Sequence, residues 1–145
     1  MIIMILAMDE HQLIGKNHKM PWYIPQDLQL FKKATLHQHV LMGRITYENL
    51  GKPLKDRFMY IASHKEGYIN DIASFVQSFH NKTLFVAGGA QIYQACYPYA
   101  DELWISHVKG IYVGDTYFTL PYTKDFYCIE EIEYEQFIFR KWKRG

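Results

Sequence analysis

One acid is notable for where it would sit. In "PQDLQLFKKAT", residues 25–35, a helix turning about 100° per residue sets Asp27 among Leu28, Leu30, Phe31, Ala34 and Thr35. Gln26, Gln29, Lys32 and Lys33 take the opposite side. A carboxylate at the centre of a buried face must be protonated or paired with donors, because uncompensated burial costs several kcal/mol. The residue type also has a plainer account: with Pro25 as the first helical residue, an acid in the first turn interacts favourably with the helix dipole. From this helix alone, a capping acid and a ligand-facing acid are equally open readings.

Two strand-to-helix joints offer a different chemistry. In "HVLMGRITYENLG" a strand runs into Gly43, and Arg44 then opens a helix with Thr46 in its first turn. In "LFVAGGAQIY" Gly88 and Gly89 separate a strand from the next helix. Free backbone N–H groups at such joints suit an anion, and the glycines let a phosphate approach the main chain. Two joints in one sheet could hold the two ends of a dinucleotide, and Arg44 would grip an extra phosphate through its planar fork of donors. Taken singly, each joint is more often a tight turn, and neither matches the G-x-G-x-x-G fingerprint. Other candidates are weaker. His11, His18, His37 and His39 lack zinc-site spacing, and the basic and aromatic "FIFRKWKRG" is ordinary for a half-buried edge strand.

These residues need a scaffold, and the hydrophobic pattern supplies one. Short apolar or β-branched runs predict strands at Ile2–Met8, His39–Met42, Phe58–Ala62, Thr83–Ala87 and Glu102–Val108. Phe126–Glu133 and Gln136–Lys143 read as a closing hairpin. Helical patterns fit Pro25–Thr35, Arg44–Leu50, Asp71–Phe79 and Ala90–Cys96. Strands alternating with helices predict an α/β fold: a single mixed, mainly parallel central sheet with an antiparallel C-terminal hairpin at its edge, flanked by about four helices. Ligands in such a sheet sit beyond the carboxyl ends of the strands, where strand order switches.

Composition narrows the classes. A chain of 145 residues, 49% hydrophobic, suits one domain spanning 1–145 with a core of its own. A net charge of +1 without a long run of one sign disfavours nucleic-acid partners. The apolar start "MIIMILAM" lacks the basic flank and length of a signal peptide, and no run approaches a membrane span. Cys96 and Cys128 show no metal or redox spacing. The expectation is a cytoplasmic, monomeric protein with no metal and no membrane partner.

Taken together, "LIGKNHKMPWYIPQDLQLFKKAT", "VLMGRITYENLGKPLKDR", "FVAGGAQIY" and "ELWISHVKGIYVGDTYF" resemble dihydrofolate reductase, in family order and over nearly the whole chain. The resemblance implies NADPH as cofactor, dihydrofolate as substrate, and pteridine or diaminopyrimidine antifolates as inhibitors. Hydride would pass to pterin C6 and a proton to N5. It makes Asp27, Met20 and Trp22 the catalytic group, with Asp27 the one ionisable side chain in the pterin pocket and Asn17–Pro21 a mobile loop over the nicotinamide. Ile5, Ala7, Leu28, Phe31, Lys32, Leu50, Lys52, Arg57, Ala87 and Ser106 match substrate positions. Arg57 would grip the α-carboxylate of the glutamate tail, and the Ser106 hydroxyl would support Asp27. Ala7, Ile14, Gly15, Asn17 and Met20 match the nicotinamide side. Gly43, Arg44, Ile45, Thr46, Ser63 and His64 match the adenosine side, and Gly88, Gly89, Ala90, Gln91, Ile92 and Tyr93 the pyrophosphate segment.

Several positions depart from the family pattern. Ala87 is smaller than usual, Ala90 stands where many members have a third glycine, and His64 replaces a frequent small polar residue. The final hairpin turns early, so a contact that holds the mobile loop occluded in many bacterial members is expected to be missing. Two rivals remain. A pyrimidine reductase of riboflavin synthesis would have little reason to keep Asp27 and Arg57, and a binder without turnover would have little reason to keep Met20 and Trp22.

Overall fold

The computed structural model describes every residue except Pro53. The chain runs β1 (Ile2–Met8), β2 (Leu13–Gly15), α1 (Pro25–Thr35), β3 (His39–Gly43), α2 (Arg44–Glu48), β4 (Phe58–Ala62), α3 (Ile72–Gln77) and β5 (Leu84–Val86). It continues through α4 (Ala90–Cys96), a 3-10 turn, β6 (Glu102–Val108), β7 (Thr116–Tyr117), α5 (Tyr122–Asp125), β8 (Phe126–Glu133) and β9 (Phe137–Arg144). Seven strands form one sheet in the order β4-β3-β5-β1-β6-β9-β8. The five strands from β4 to β6 are parallel, and β9 and β8 close the edge antiparallel.

β1 shows why the apolar run at the N-terminus has no alternation. All seven of its residues are buried, because both sheet faces are covered. Ile2, Met4, Leu6 and Met8 join a core with Val76 of α3 and with Tyr93 and Cys96 of α4. Ile3 and Ile5 face the other way, against Phe31 and Ala34 of α1. The chain leaves β1 for β3 on one side and later crosses from β5 to β6 on the other, so strand order switches between β1 and β5.

Local differences from the sequence reading have identifiable causes. Asp71 caps α3 rather than belonging to it, its carboxylate accepting from the Ser74 N–H at 3.1 Å. α2 stops at Glu48, where Asn49 caps it. β2, β7 and the one-turn α5 carry no readable period; β2 and β7 pair only because residues 110–118 return to lie beside residues 9–16. Gly114 shows how close that return is. A Cβ there would stand 2.6 Å from the Gly15 carbonyl oxygen and 2.7 Å from Leu13 Cδ1. Gly114→Ala is therefore expected to destabilise the protein by about 1–3 kcal/mol, read as a lowered urea midpoint at unchanged m-value.

Candidate active site

Asp27 lies on the inward side of α1 and is 8% exposed. Ser106, on the α1-facing side of β6 and itself buried, donates its hydroxyl to Asp27 Oδ1 at 2.5 Å. The second oxygen accepts nothing from the described residues, and none of their four ion pairs includes Asp27. Burial raises its pKa above 3.8, against the smaller opposing effect of the Ser106 bond. A buried carboxylate with one neutral donor and no cation is under-satisfied for its charged form, which a capping role does not require.

Around it the strand ends form a crevice. Ile5 and Ala7 of β1 are buried beside Ser106 of β6, and Phe31 of α1 packs against the Ile5 side. Tyr93 of α4 donates its hydroxyl to the Ile5 carbonyl at 2.7 Å, fixing α4 to β1. Ala87 is part of the same apolar cluster as Ile5 and Phe31. Leu28, Leu50 and Met20 are 36%, 37% and 43% exposed, an apolar rim left to solvent. Leu28 is thus at the rim, where the helical wheel had set it in the buried face. Trp22 is half-buried, packs edge-on against Tyr112 at 5.3 Å, and its indole Nε1 is sealed from solvent without an acceptor.

Arg57 is fixed at the far end of α1. Its Nε donates to Thr35 Oγ1 at 3.0 Å, and its Nη1 and Nη2 donate to the carbonyls of Lys55 and Lys32. Three of the five guanidinium donors are thereby used, leaving two for a ligand. Thr35 in turn donates to the Phe31 carbonyl at 2.9 Å. The Lys32 and Lys52 side chains are exposed.

The two glycine joints are neighbours because β3 pairs with β5. The Gly43 N–H donates to the Gly88 carbonyl at 2.8 Å, and the Gly88–Gly89 peptide is cis. Gly88 has φ +106°, and a Cβ on it would crowd the Tyr93 hydroxyl at 3.3 Å. A Cβ on Gly89 would stand 3.2 Å from Thr46 Oγ1. Neither Gly43 nor Gly89 caps its helix with a side chain, so the first-turn N–H groups are open to an anion. α2 and α4 have only five and seven residues, so these open groups matter more than a long macrodipole. Arg44 Nη1 is held by Glu48 at 2.8 and 3.0 Å, while its buried Nε has no partner. Ile45 and Gln91 are exposed beside Thr46, Ala90 and Ile92. Ser63 follows β4 with its Oγ accepting from the Lys65 N–H, and His64 is exposed.

The Asn17–Met20 segment is tied down by residues without an evident sequence signal. Ile14 and Gly15 lie in β2, and Lys16 and Lys19 pair across a turn with Asn17 and His18 at positive φ. Asp115 Oδ2 accepts from the Asn17 N–H at 3.0 Å, and the Asp115 N–H donates to the Gly15 carbonyl. Asp115, Glu48 and Thr35 were not readable as site residues. Asp115 and Thr35 meet partners that the fold brings up, whereas Arg44 and Glu48 are an i,i+4 helix pair whose spacing is a local hint, as is "GDT" at residues 114–116. Among the described residues no cluster of His, Cys, Asp or Glu could hold a metal ion.

A carboxylate without a counter-charge, two glycine joints with open N–H groups on adjacent strands and a fixed arginine make an arrangement suited to a nucleotide and a small polar substrate. The family model described as dihydrofolate reductase matches residues 1–142, and the chain belongs to that family. It is similar to the dihydrofolate reductase of Mycoplasma genitalium, 36% identical with 94% of each chain covered. It is also 38% identical to that of Buchnera aphidicola subsp. Schizaphis graminum, over 81% of this chain and 78% of that one. A solved dihydrofolate reductase from Enterococcus faecalis, complexed with NADP(H) and RAB-propyl, shares the fold at TM-score 0.90 and 23% identity, over 100% of this chain and 96% of that chain.

The raised pKa fixes the sign of a stability effect. Folded Asp27 holds its proton more tightly than unfolded Asp27, so the penalty on folding builds as pH rises above 3.8 and is complete above the raised value. Stability falls as pH rises from 3.8 through that value. Asp27→Asn keeps an acceptor for Ser106 and removes the charge. It is expected to raise Tm of the ligand-free protein at pH 7 and to leave it nearly unchanged at pH 3, measured by scanning calorimetry.

Proposed function

We infer that this chain reduces 7,8-dihydrofolate to 5,6,7,8-tetrahydrofolate with NADPH, and that Asp27 is the anchor for the pterin. The observation that carries the anchor role is the unused oxygen of a buried carboxylate that no cation neutralises. A planar amidine edge, the pterin N3 and 2-amino group, supplies two parallel donors to that carboxylate, a charge-assisted pairing that offsets its desolvation. Leu28, Phe31, Leu50, Ile5, Ala7 and Ala87 supply apolar walls, and binding would cover the exposed rim.

NADPH supplies the hydride when bound. The residues present fit that group: Gly88 and Gly89 keep the main chain bare where a Cβ would crowd Tyr93 and Thr46, first-turn N–H groups of α2 and α4 are uncapped, and Arg44 has a buried donor unspent. Gly43, Arg44, Ile45, Thr46, Ser63 and His64 would hold the adenosine end, and Gly88, Gly89, Ala90, Gln91, Ile92 and Tyr93 the pyrophosphate. Arg44 favours NADPH over NADH because its fork suits a phosphate. Ile14, Gly15, Asn17 and Met20 would close over the nicotinamide end and exclude water. The two free donors of Arg57 take the α-carboxylate of the glutamate tail, with Lys32, whose carbonyl accepts from Arg57, beside it and Lys52 close to it in the chain.

Asp27 acts by polarising the ring and raising the basicity of N5, with water delivering the proton, while the crevice holds the reacting atoms in near-attack geometry. The same anchor suits the cationic form of a diaminopyrimidine inhibitor. We read the chain as one domain and a monomer acting in the cytoplasm; no helix among the described residues is long and apolar enough to cross a membrane.

NADPH oxidation should depend on added dihydrofolate. Asp27→Asn is expected to slow hydride transfer at pH 7 by about 10²-fold or more, with partial recovery at low pH, where substrate arrives protonated. Wild-type rates for this variant at pH 7 would contradict the anchor role.

A further inference from the structure

Four polar residues are buried in the described structure: Asp9, Asp27, Thr35 and Ser106. Three of them serve the crevice directly, as the anchor, its hydroxyl partner and the support of Arg57. Asp9 has no such role, yet it is only 3% exposed. It lies just past β1, and all its acceptor bonds go to backbone. Oδ1 accepts from the N–H groups of His11 and Leu13 at 2.8 and 2.9 Å, and Oδ2 accepts from the Tyr112 N–H at 2.8 Å. Burial alone would raise the Asp9 pKa, but these three bonds hold it below the usual carboxylate range. The side chain is therefore an ionised strut between two segments 103 residues apart.

Both segments lead to the crevice. From Leu13 the chain enters β2 and then Asn17–Met20 and Trp22. Tyr112 packs its ring on Trp22 at 5.3 Å, and Asp115, three residues further on, accepts from the Asn17 N–H. The other ties here are neutral pairs or exposed groups: the β2–β7 pairing, Glu10 with Gly110 through its N–H and its exposed carboxylate, Gln12 with Phe118 through backbone and side chain, and the exposed Asp115. Asp9 supplies the one buried charge.

We propose that Asp9 is a positioning residue for hydride transfer: by joining the Leu13 and Tyr112 backbones it sets the segment bearing Asn17–Met20 and Trp22 against the crevice. The role rests on the reductase reading given above, and Asp9 touches neither substrate nor cofactor.

The discriminating variant is Asp9→Asn. Its side-chain oxygen still serves the two N–H groups of the local turn, but an amide NH₂ then faces the Tyr112 N–H, donor against donor. Asp9→Ser repeats the test, since a short hydroxyl serves the turn and cannot reach Tyr112. In the ligand-free protein, Tyr112 amide exchange is expected to speed up about tenfold or more while Leu13 exchange holds within about twofold. In single turnover at saturating NADPH, hydride transfer is expected to fall about tenfold, with KM for dihydrofolate moving less than about twofold. Asp71→Ala, which strips the cap of distant α3, is the control for destabilisation alone and should leave the single-turnover rate unchanged. A wild-type transfer rate in Asp9→Asn, unchanged Tyr112 exchange, or an equal rate loss in Asp71→Ala would each overturn the proposal. A wild-type protein without dihydrofolate-dependent NADPH oxidation would instead sink the reductase reading, and this role with it.

Discussion

A carboxylate held out of water without a counter-charge is the constraint on which the crevice depends. Asp27 has one hydroxyl, from Ser106, and no cation; a single neutral donor does not offset desolvation of a full charge. The ion pairs among the described residues, such as Arg140–Glu131 and Lys109–Glu133, lie at the surface and cannot reach it. The free protein therefore carries a local penalty that a ligand with two parallel donors would remove. The exposed apolar rim of Leu28, Leu50 and Met20 has the same logic, since surface left wet in the free protein is available for burial on binding.

Long-range ties position what the local helices cannot. Ser106 reaches Asp27 across 79 residues of chain, and Tyr93 reaches the Ile5 carbonyl across 88. Tyr93 bonds to β1 directly and Ser106 is the register partner of Ala7 on it, so Asp27 and the second glycine joint are both referred to the strand at the switch in order. Arg57 is fixed in the same manner by Thr35 and two carbonyls at the end of α1. A guanidinium held by three bonds before any ligand arrives has lost most of its rotamer freedom already. Preorganisation is thus distributed over bonds between protein groups that are in place before any ligand binds.

Much of this was legible in the sequence, for physical reasons that differ by element. The unalternating run of β1 announced a strand covered on both faces, and the 3.6-residue period set Asp27 and Thr35 inward on α1. The same wheel set Leu28 inward, and it lies at the rim because no element packs over that side of the helix. The two glycine joints were readable as joints, but their adjacency came only from β3 pairing with β5. β2, β7, Asp115 and Asp9 were not readable as a unit. Their bonding depends on where residues 109–118 return, and a carboxylate that accepts from backbone N–H groups leaves no complementary residue type in the sequence.

The central claim is that Asp27 stays under-satisfied until an amidine-bearing ring binds. The direct measurement is its carboxyl titration, followed by ¹³C NMR in the free protein and in the complex with NADP⁺ and a 2,4-diaminopyrimidine. The account predicts a midpoint above the ordinary value in the free protein and one driven well below it in the complex. A midpoint that the ligand leaves unmoved would contradict it.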